Sequence, residues 1–257
     1  MTRAALLVLL VALAGAPARG ADASPSLYTA TTIVTGTAIG DRPDALMRCL
    51  RDVVAKLSGD WKAADDPRVA TDASDPAALV EDFVYLDRMT DIATHDEQGT
   101  RERPFDFVVH FAPARVDALM QRLGIPIWAG PRPPLVMMVA ISRDPARFPL
   151  TADGIPDERM RRAALEAGER YGMRVVLFPT ATLVAAPSAD AVPMPPIQGA
   201  VLLKGMLMWS PREFGWVGTW HLWYGAEDHG WGITGVSFDE AFRDAVRGAA
   251  RILAGRE

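Results

Sequence analysis

The stretch Ile125-Pro126-Ile127-Trp128-Ala129-Gly130-Pro131-Arg132-Pro133-Pro134-Leu135-Val136-Met137-Met138-Val139-Ala140-Ile141 decides how this chain divides. Proline fixes φ and donates no backbone hydrogen bond, so the cluster Pro126, Pro131, Pro133 and Pro134 makes a stiff connection rather than an element. The apolar run Leu135–Ile141 that follows has the pattern of a strand covered on both faces. The sequence therefore reads as two units, 24–126 and 135–257, joined by a proline-rich linker at 127–134.

Upstream of the linker, the Thr/Ile/Val-rich segment Leu27 to Thr37 predicts a strand closed by Gly36 and Gly40. Asp41 and Pro43 suit a helix start, and Leu46, Leu50, Val53 and Leu57 follow at helical spacing until Ser58-Gly59. A polar loop holding Asp65, Asp66, Asp72 and Asp75 leads to a strand at Phe83–Met89. Its hairpin partner is Arg103–Phe111, where Phe105, Phe107, Val109 and Phe111 alternate with polar residues. Pro113 opens a second helix with Val116, Leu119, Met120 and Leu123 on one face, and Gly124 stops it. This unit reads β-α-β-β-α.

Downstream, Leu135–Ile141 is followed by a loop to Gly154 and a helix from about Pro156 to Gly172. A strand at Met173–Phe178 and an Ala/Pro-rich surface stretch at 179–196 come next. Three strands then fall close together at Ala200–Trp209, Trp216–Tyr224 and Trp231–Gly235, with Gly225, Asp228 and Gly230 as turn residues. Ser237 and Glu240 form a capping box before a helix whose apolar face runs from Phe238 to Leu253. This unit reads β-α-β-β-β-β-α. The fold class is α/β with α+β character, in two small sheet-plus-helix domains.

The 257 residues are 49% hydrophobic and 23% charged, which excludes disorder and supplies a core. A net charge of −5 argues against tracking nucleic-acid phosphates. Arg3 followed by the uncharged run Ala4–Ala14 and small residues has the layout of a secretory signal over residues 1–23, with cleavage between 16 and 23. Loss of residues 1–20 removes Arg3 and Arg19 and no acid, taking the charge from −5 to −7. Later apolar runs are interrupted by Arg132, Arg143, Arg174 and Lys204, so no transmembrane segment is expected after cleavage. The expected location is the periplasm, where the single Cys49 forms no internal disulfide and reads as a core thiol.

Catalytic signatures were sought by spacing. G-x-S-x-G, H-E-x-x-H, C-x-x-C and the calcium loop do not occur. Gly36-Thr37-Ala38-Ile39-Gly40 lacks the Lys-Ser/Thr of a phosphate loop and reads as a turn. His95 and His110 read as solvated. His221, Glu227, Asp228 and His229 flank a predicted hairpin and form the candidate set for a metal or an acid/base pair. Five of the seven tryptophans, Trp209, Trp216, Trp220, Trp223 and Trp231, lie in the last three strands. Alternation puts Trp216, Trp220, Leu222 and Tyr224 on one face, and Thr219, His221 and Trp223 on the other. One face is expected to be core and the other a binding platform.

Tyr28–Val34, Val53-Val54-Ala55-Lys56-Leu57-Ser58-Gly59 within Arg48–Gly59, Phe107–Phe111, Leu119, Gly124-Ile125-Pro126-Ile127-Trp128 and Arg132-Pro133 together resemble the uncharacterised bacterial family DUF2066. Val201-Leu202-Leu203-Lys204-Gly205, Trp216, Gly218-Thr219-Trp220 and the closing helix are similar to the same family. The element order of the second half is also similar to envelope domains such as the TolB N-terminal domain, CsgG and the penicillin-binding-protein activator lipoproteins. These resemblances imply a non-catalytic cell-envelope protein that acts through protein–protein contacts, without a cofactor. Trp128 and Arg132 at the linker and His221 and Trp223 on the sheet are the expected contact residues. Two other readings stand beside this one. One is a periplasmic hydrolase or metal-dependent enzyme using His221, Glu227, Asp228 and His229. The other is a small-ligand carrier with an interdomain cleft near Trp128.

Overall fold

The computed structural model describes residues 26–37, 42–90, 95–96, 99–100, 103–154, 157–184 and 197–256. The expected signal segment, Asp41, most of the glycine turn, Pro156 and residues 185–196 lie outside the described residues. The fold is mixed α/β, with helices and more than one sheet.

In the first half, strand β1 (Thr29–Thr35) is followed by helix α1 (Arg42–Ser58). Short helices α2 (Trp61–Ala64) and α3 (Pro67–Asp72) and a 3-10 turn (Pro76–Leu79) occupy the acidic stretch that was expected to be a loop. Its aspartates explain the difference. Asp60 accepts from the Lys62 N–H at 3.1 Å and Asp66 from the Arg68 N–H at 2.9 Å, so each caps a helical turn. Strand β2 spans Val80–Asp87, starting earlier than the expected Phe83. A two-residue pair, β3 (His95–Asp96) and β4 (Gly99–Thr100), precedes β5 (Pro104–Phe111) and helix α4 (Pro113–Leu123).

These strands form an antiparallel sheet in the order β1-β5-β2. Phe107, Val109 and Phe111 turn one face of the central strand into a core with Leu50, Val53, Val54 and Leu57 of α1 and Val116, Leu119 and Met120 of α4. Cys49 is fully buried in this core, and burial pushes its thiol pKa up to about 12, so it is protonated and inert.

The second half forms a six-stranded sheet in the order β11-β10-β9-β6-β7, with β8 also paired to β6. Its elements are β6 (Leu135–Arg143), β7 (Ala146–Pro149), helix α5 (Glu158–Arg170), β8 (Val175–Leu177), helix α6 (Thr180–Val184), β9 (Val201–Ser210), β10 (Gly215–Tyr224), β11 (Glu227–Val236) and helix α7 (Phe238–Leu253). Strand β7 falls in the expected loop and pairs with the end of β6, while the parallel strand β8 pairs with its beginning.

Strand β11 begins at Glu227 rather than Trp231. Asp228, His229 and Gly230 therefore pair in the ladder, and the reversal falls at Gly225-Ala226. An edge strand tolerates these charges because one of its backbone edges is unpaired.

Leu135, Met137, Val139 and Ile141 face the core; on the other face Val136 is fully buried, as expected of a strand covered on both sides, but Ala140 is exposed, so that cover is lost toward the end of β6. Helix α7 carries Ala241, Ala245 and Ala249 at its contact with the sheet, next to Phe242 and Val246. Small side chains let the helix axis come close, and Trp220 fills the remaining depth 6.3 Å from the Phe242 ring. The Trp220 indole lies over Gly205 of β9 and beside Gly218, and a Cβ at Gly205 would overlap its ring carbons. Ser237 caps α7 by accepting from the Glu240 N–H at 3.2 Å, while the Glu240 carboxylate pairs with Arg243 and Arg247.

Candidate functional site

A helix leaves its last four carbonyls without intrahelical donors. At the end of α1 these are satisfied from distant parts of the chain. The Arg132 guanidinium donates to the Lys56 carbonyl at 2.6 Å, the Trp128 N–H to the Leu57 carbonyl at 2.7 Å and Arg256 to the Ser58 carbonyl at 3.3 Å. Positive charge at a helix C-terminus also complements the backbone dipole. Arg132 stacks 4.0 Å from the Trp128 ring centroid, and burial lowers its pKa to about 10. Arg170 of α5 reaches Asp52 of α1 at 2.9 Å, and Arg247 of α7 lies 5.0 Å over the Trp61 ring.

Trp128 is thus 7% exposed, part of the second core, and Arg132 is half-buried beside it. The expectation that these two residues form a free contact surface is corrected. They tie the two halves together, and their partners on α1 are backbone carbonyls that no spacing rule reveals. Packing at Trp128 is tight on the side of Gly59: a Cβ there would sit 3.0 Å from the Trp128 ring and overlap Ala254. An open cavity of about 270 Å³ lies in the first half, lined by Ile33, Val34, Thr35, Asp44 and Arg48.

The His/acid set of the β10–β11 hairpin separates into two pairs. His221 Nδ1 lies 3.3 Å from Asp228 Oδ1. His229 Nε2 lies 3.8 Å from Glu227 Oε2. Alternation along β11 sends Asp228 to one face of the sheet and Glu227 and His229 to the other. Four ligands cannot converge through a sheet, and among the described residues no group of three or more His, Cys, Asp or Glu side chains could hold a metal ion. The candidate set His221, Glu227, Asp228 and His229 is corrected to two separate pairs on opposite faces of the sheet, His221–Asp228 exposed and His229 largely covered beside the exposed Glu227.

Another arrangement was missed from sequence. Thr29, His110 and Asp82 stand side by side across β1, β5 and β2. Thr29 Oγ1 is 2.9 Å from His110 Nδ1, and His110 Nε2 is 3.7 Å from Asp82 Oδ1. The residue types follow the hydroxyl–imidazole–carboxylate order of nucleophilic catalysis. However, Asp82 is 70% exposed and too distant to orient the ring. Strand spacing accounts for the row, which is a polar ladder on an open sheet face.

The tryptophan-rich sheet does divide as its alternation predicts. Trp216 and Trp220 are buried under α7, whereas Thr219, His221 and Trp223 are exposed. Tyr224 is the exception: it belongs to the core face by parity but lies at the strand end, where it is 44% exposed. The exposed row continues onto β9 as Lys204, Met206 and Met208. The two long helices of this half, α5 and α7, both pack on the opposite face. Met206 and Trp223 are each 47% exposed and Met208 is 40% exposed. Their side-chain types are those enriched at protein contacts.

Residues 21–129 match the model of a family described as a domain of unknown function (DUF8605). That span covers the first sheet and ends at the linker, leaving the six-stranded sheet outside it. No curated protein matches the chain, and no solved structure matches it. No helix among the described residues is long and apolar enough to cross a membrane.

Proposed function

We propose that the chain is a non-catalytic protein of the bacterial cell envelope that works by protein–protein contact, with the open face of the six-stranded sheet as its contact surface. The observation that carries this reading is that Met206, Met208 and Trp223 are all exposed on one face of the sheet, the methionines opposite Thr219 and Val217 and the indole on the other side of the Lys204–His221 pair. Large exposed apolar side chains set among a few polar ones are of the kind enriched at interaction sites. His221 and Lys204 stand in the same patch and supply polar contacts at its centre.

Export to the periplasm by cleavage within residues 16–23, and the resemblance to DUF2066 and to partner-binding envelope domains, belong to the same proposal. They are supported by the signal-like N-terminus and the quoted motifs. Of the contact residues expected from sequence, His221 and Trp223 stay in the reading, and Trp128 and Arg132 leave it because they are packed between the halves.

The test is cross-linking in intact envelopes with the wild-type chain and with a Trp223→Ala, Met206→Ser double variant. Loss of discrete cross-linked products in a variant that keeps the wild-type circular dichroism is the expected result. The same products at the same yield would remove this face from the proposal.

A further inference from the structure

Lys204 stands at the centre of the open face with no counter-charge among the described residues. Met138 of β6, Lys204 of β9, His221 of β10 and Gly230 of β11 are neighbours in one cross-strand row. Ala140, Met206, Thr219 and Gly232 form the next. The Lys204 ammonium lies 5.4 Å from the Trp223 ring centroid. The acid on this face, Asp228, is paired with His221 at 3.3 Å. Among the described residues, no carboxylate lies within ion-pair distance of Lys204. Beside the row, Gly230 and Gly232 leave a floor of bare backbone, and a Cβ at Gly230 would come 3.4 Å from the His221 imidazole.

We infer that this face takes an extended protein segment that sets an acidic side chain against Lys204 and apolar side chains against Met206, Met208 and Trp223. The inference rests on the contact reading above and adds the chemistry of the partner. A wholly apolar partner would strip water from the ammonium and return nothing, which is costly for a charge. A basic partner would be repelled. A nucleic acid or an anionic lipid surface would supply anions, but the net charge of −5 opposes approach to an extended negative surface. An isolated carboxylate within an apolar segment meets the local charge with little of that repulsion, and the glycine floor leaves room for its side chains.

The experiment selects a displayed library of random short peptides on the purified full chain and measures the enriched peptides against variants. The expected selection is Asp or Glu set among Leu, Met, Phe or Trp. Lys204→Met should weaken binding about tenfold or more while circular dichroism is unchanged, as for removal of one partner of a desolvated charge pair. Bound peptide should also shield Lys204 from acetylation while exposed Lys62 reacts as before.

Selection of no peptide, of basic peptides, or of peptides that leave Lys204 reactive overturns the inference. So does displacement of the peptide by phosphatidylglycerol vesicles, which would make a lipid surface the occupant. Neutral peptides sensitive to Trp223→Ala but not to Lys204→Met would remove the acidic partner and leave the contact surface. Peptides indifferent to both variants would remove the surface as well.

Discussion

The two sheets of this protein solve the same problem and leave different surfaces behind. Each packs one face against its long helices and leaves apolar side chains exposed on the other. On the first sheet, Ile33, Val84 and Leu86 are exposed, but Thr29, His110, Asp82 and the Arg88–Asp106 pair are distributed among them. On the second, two methionines and a tryptophan lie on either side of one lysine. Both faces carry charge, but the exposed apolar side chains of the second are the larger and more polarisable methionine and tryptophan, the types enriched at contacts. The covered faces hold most of each sheet's stability, and the proposed contact belongs to an uncovered one.

The strongest way to break that division is to remove one large side chain from each covered face. Phe107→Ala and Trp220→Ala should each lose about 3–5 kcal/mol in urea unfolding, the usual range for a fully buried aromatic. Because α1 is capped by residues from the linker and the C-terminal segment, both variants should unfold in a single transition. Two separated transitions would show that the halves are energetically independent.

Overpacking gives the next effect in size. Gly205→Ala puts a methyl group into the space of the Trp220 ring, which is backed by Phe242 and the alanines of α7. A loss of about 1–3 kcal/mol is expected. Gly230→Ala, on the open face of the same sheet, meets only the His221 ring at ordinary contact distance and should cost less. Equal losses would mean that the open face is as tightly packed as the core.

The alternation of β10 and the apolar spacing of α1, α4 and α7 were readable because one-sided burial imposes a period on the sequence. Strand β7 was not readable. Its residues Ala146-Arg147-Phe148-Pro149 pair along a short edge, where burial imposes little pattern. The helices α2 and α3 carried a signal, Asp followed by a helical first turn, including Asp66-Pro67, that a count of acidic residues hides. The candidate site was half legible. Parity placed His221 and Trp223 correctly on the open face. Burial of Trp128 and Arg132 depends on the three-dimensional meeting of the linker with the end of α1.

That meeting supplies a smaller test of whether the sheets belong to one cooperative unit. Arg132→Ala removes a charged donor from the Lys56 carbonyl and the stack on Trp128, and about 1.5–3 kcal/mol should be lost. Arg132→Lys should recover only part, because an ammonium cannot both lie flat on the indole and reach the carbonyl in the same way. Full recovery would reduce the role of Arg132 to its charge.

The buried Lys56 gives a pH-dependent version of the same comparison. Its ammonium donates to the Thr29 carbonyl at 2.5 Å, yet burial lowers its pKa to about 8 from 10.5. Between those values the unfolded chain binds more protons than the folded one at this site, so stability from Lys56 rises with pH across that window. The cost of keeping the amine charged is present below about 8 and is relieved as pH rises toward 10.5. Subtracting the profile of Lys56→Met removes contributions common to both proteins, and using a Cys49→Ala background in both keeps the thiol, which is coupled to Lys56, out of the difference. The difference should slope upward by at most about 1.4 kcal/mol per pH unit. A flat difference would place the amine in water, and a falling one would mean that the fold stabilises the ammonium.

The smallest expected change in stability is the most informative about function. Trp223→Ala removes a side chain as large as that of Trp220, three residues away on the same strand, but from the face that is 47% exposed rather than fully buried. Its neighbours are the Lys204 ammonium at 5.4 Å and the nearly parallel His221 ring at 5.9 Å. Solvent screens the cation contact, so the unfolding free energy should fall by no more than about 0.5 kcal/mol. If Trp223 is there to meet a partner, this near-silent change in stability must coincide with loss of the envelope cross-links. A loss of several kcal/mol in the isolated chain would mean that Trp223 is held by the fold itself, and the contrast between the two faces of this sheet would fail.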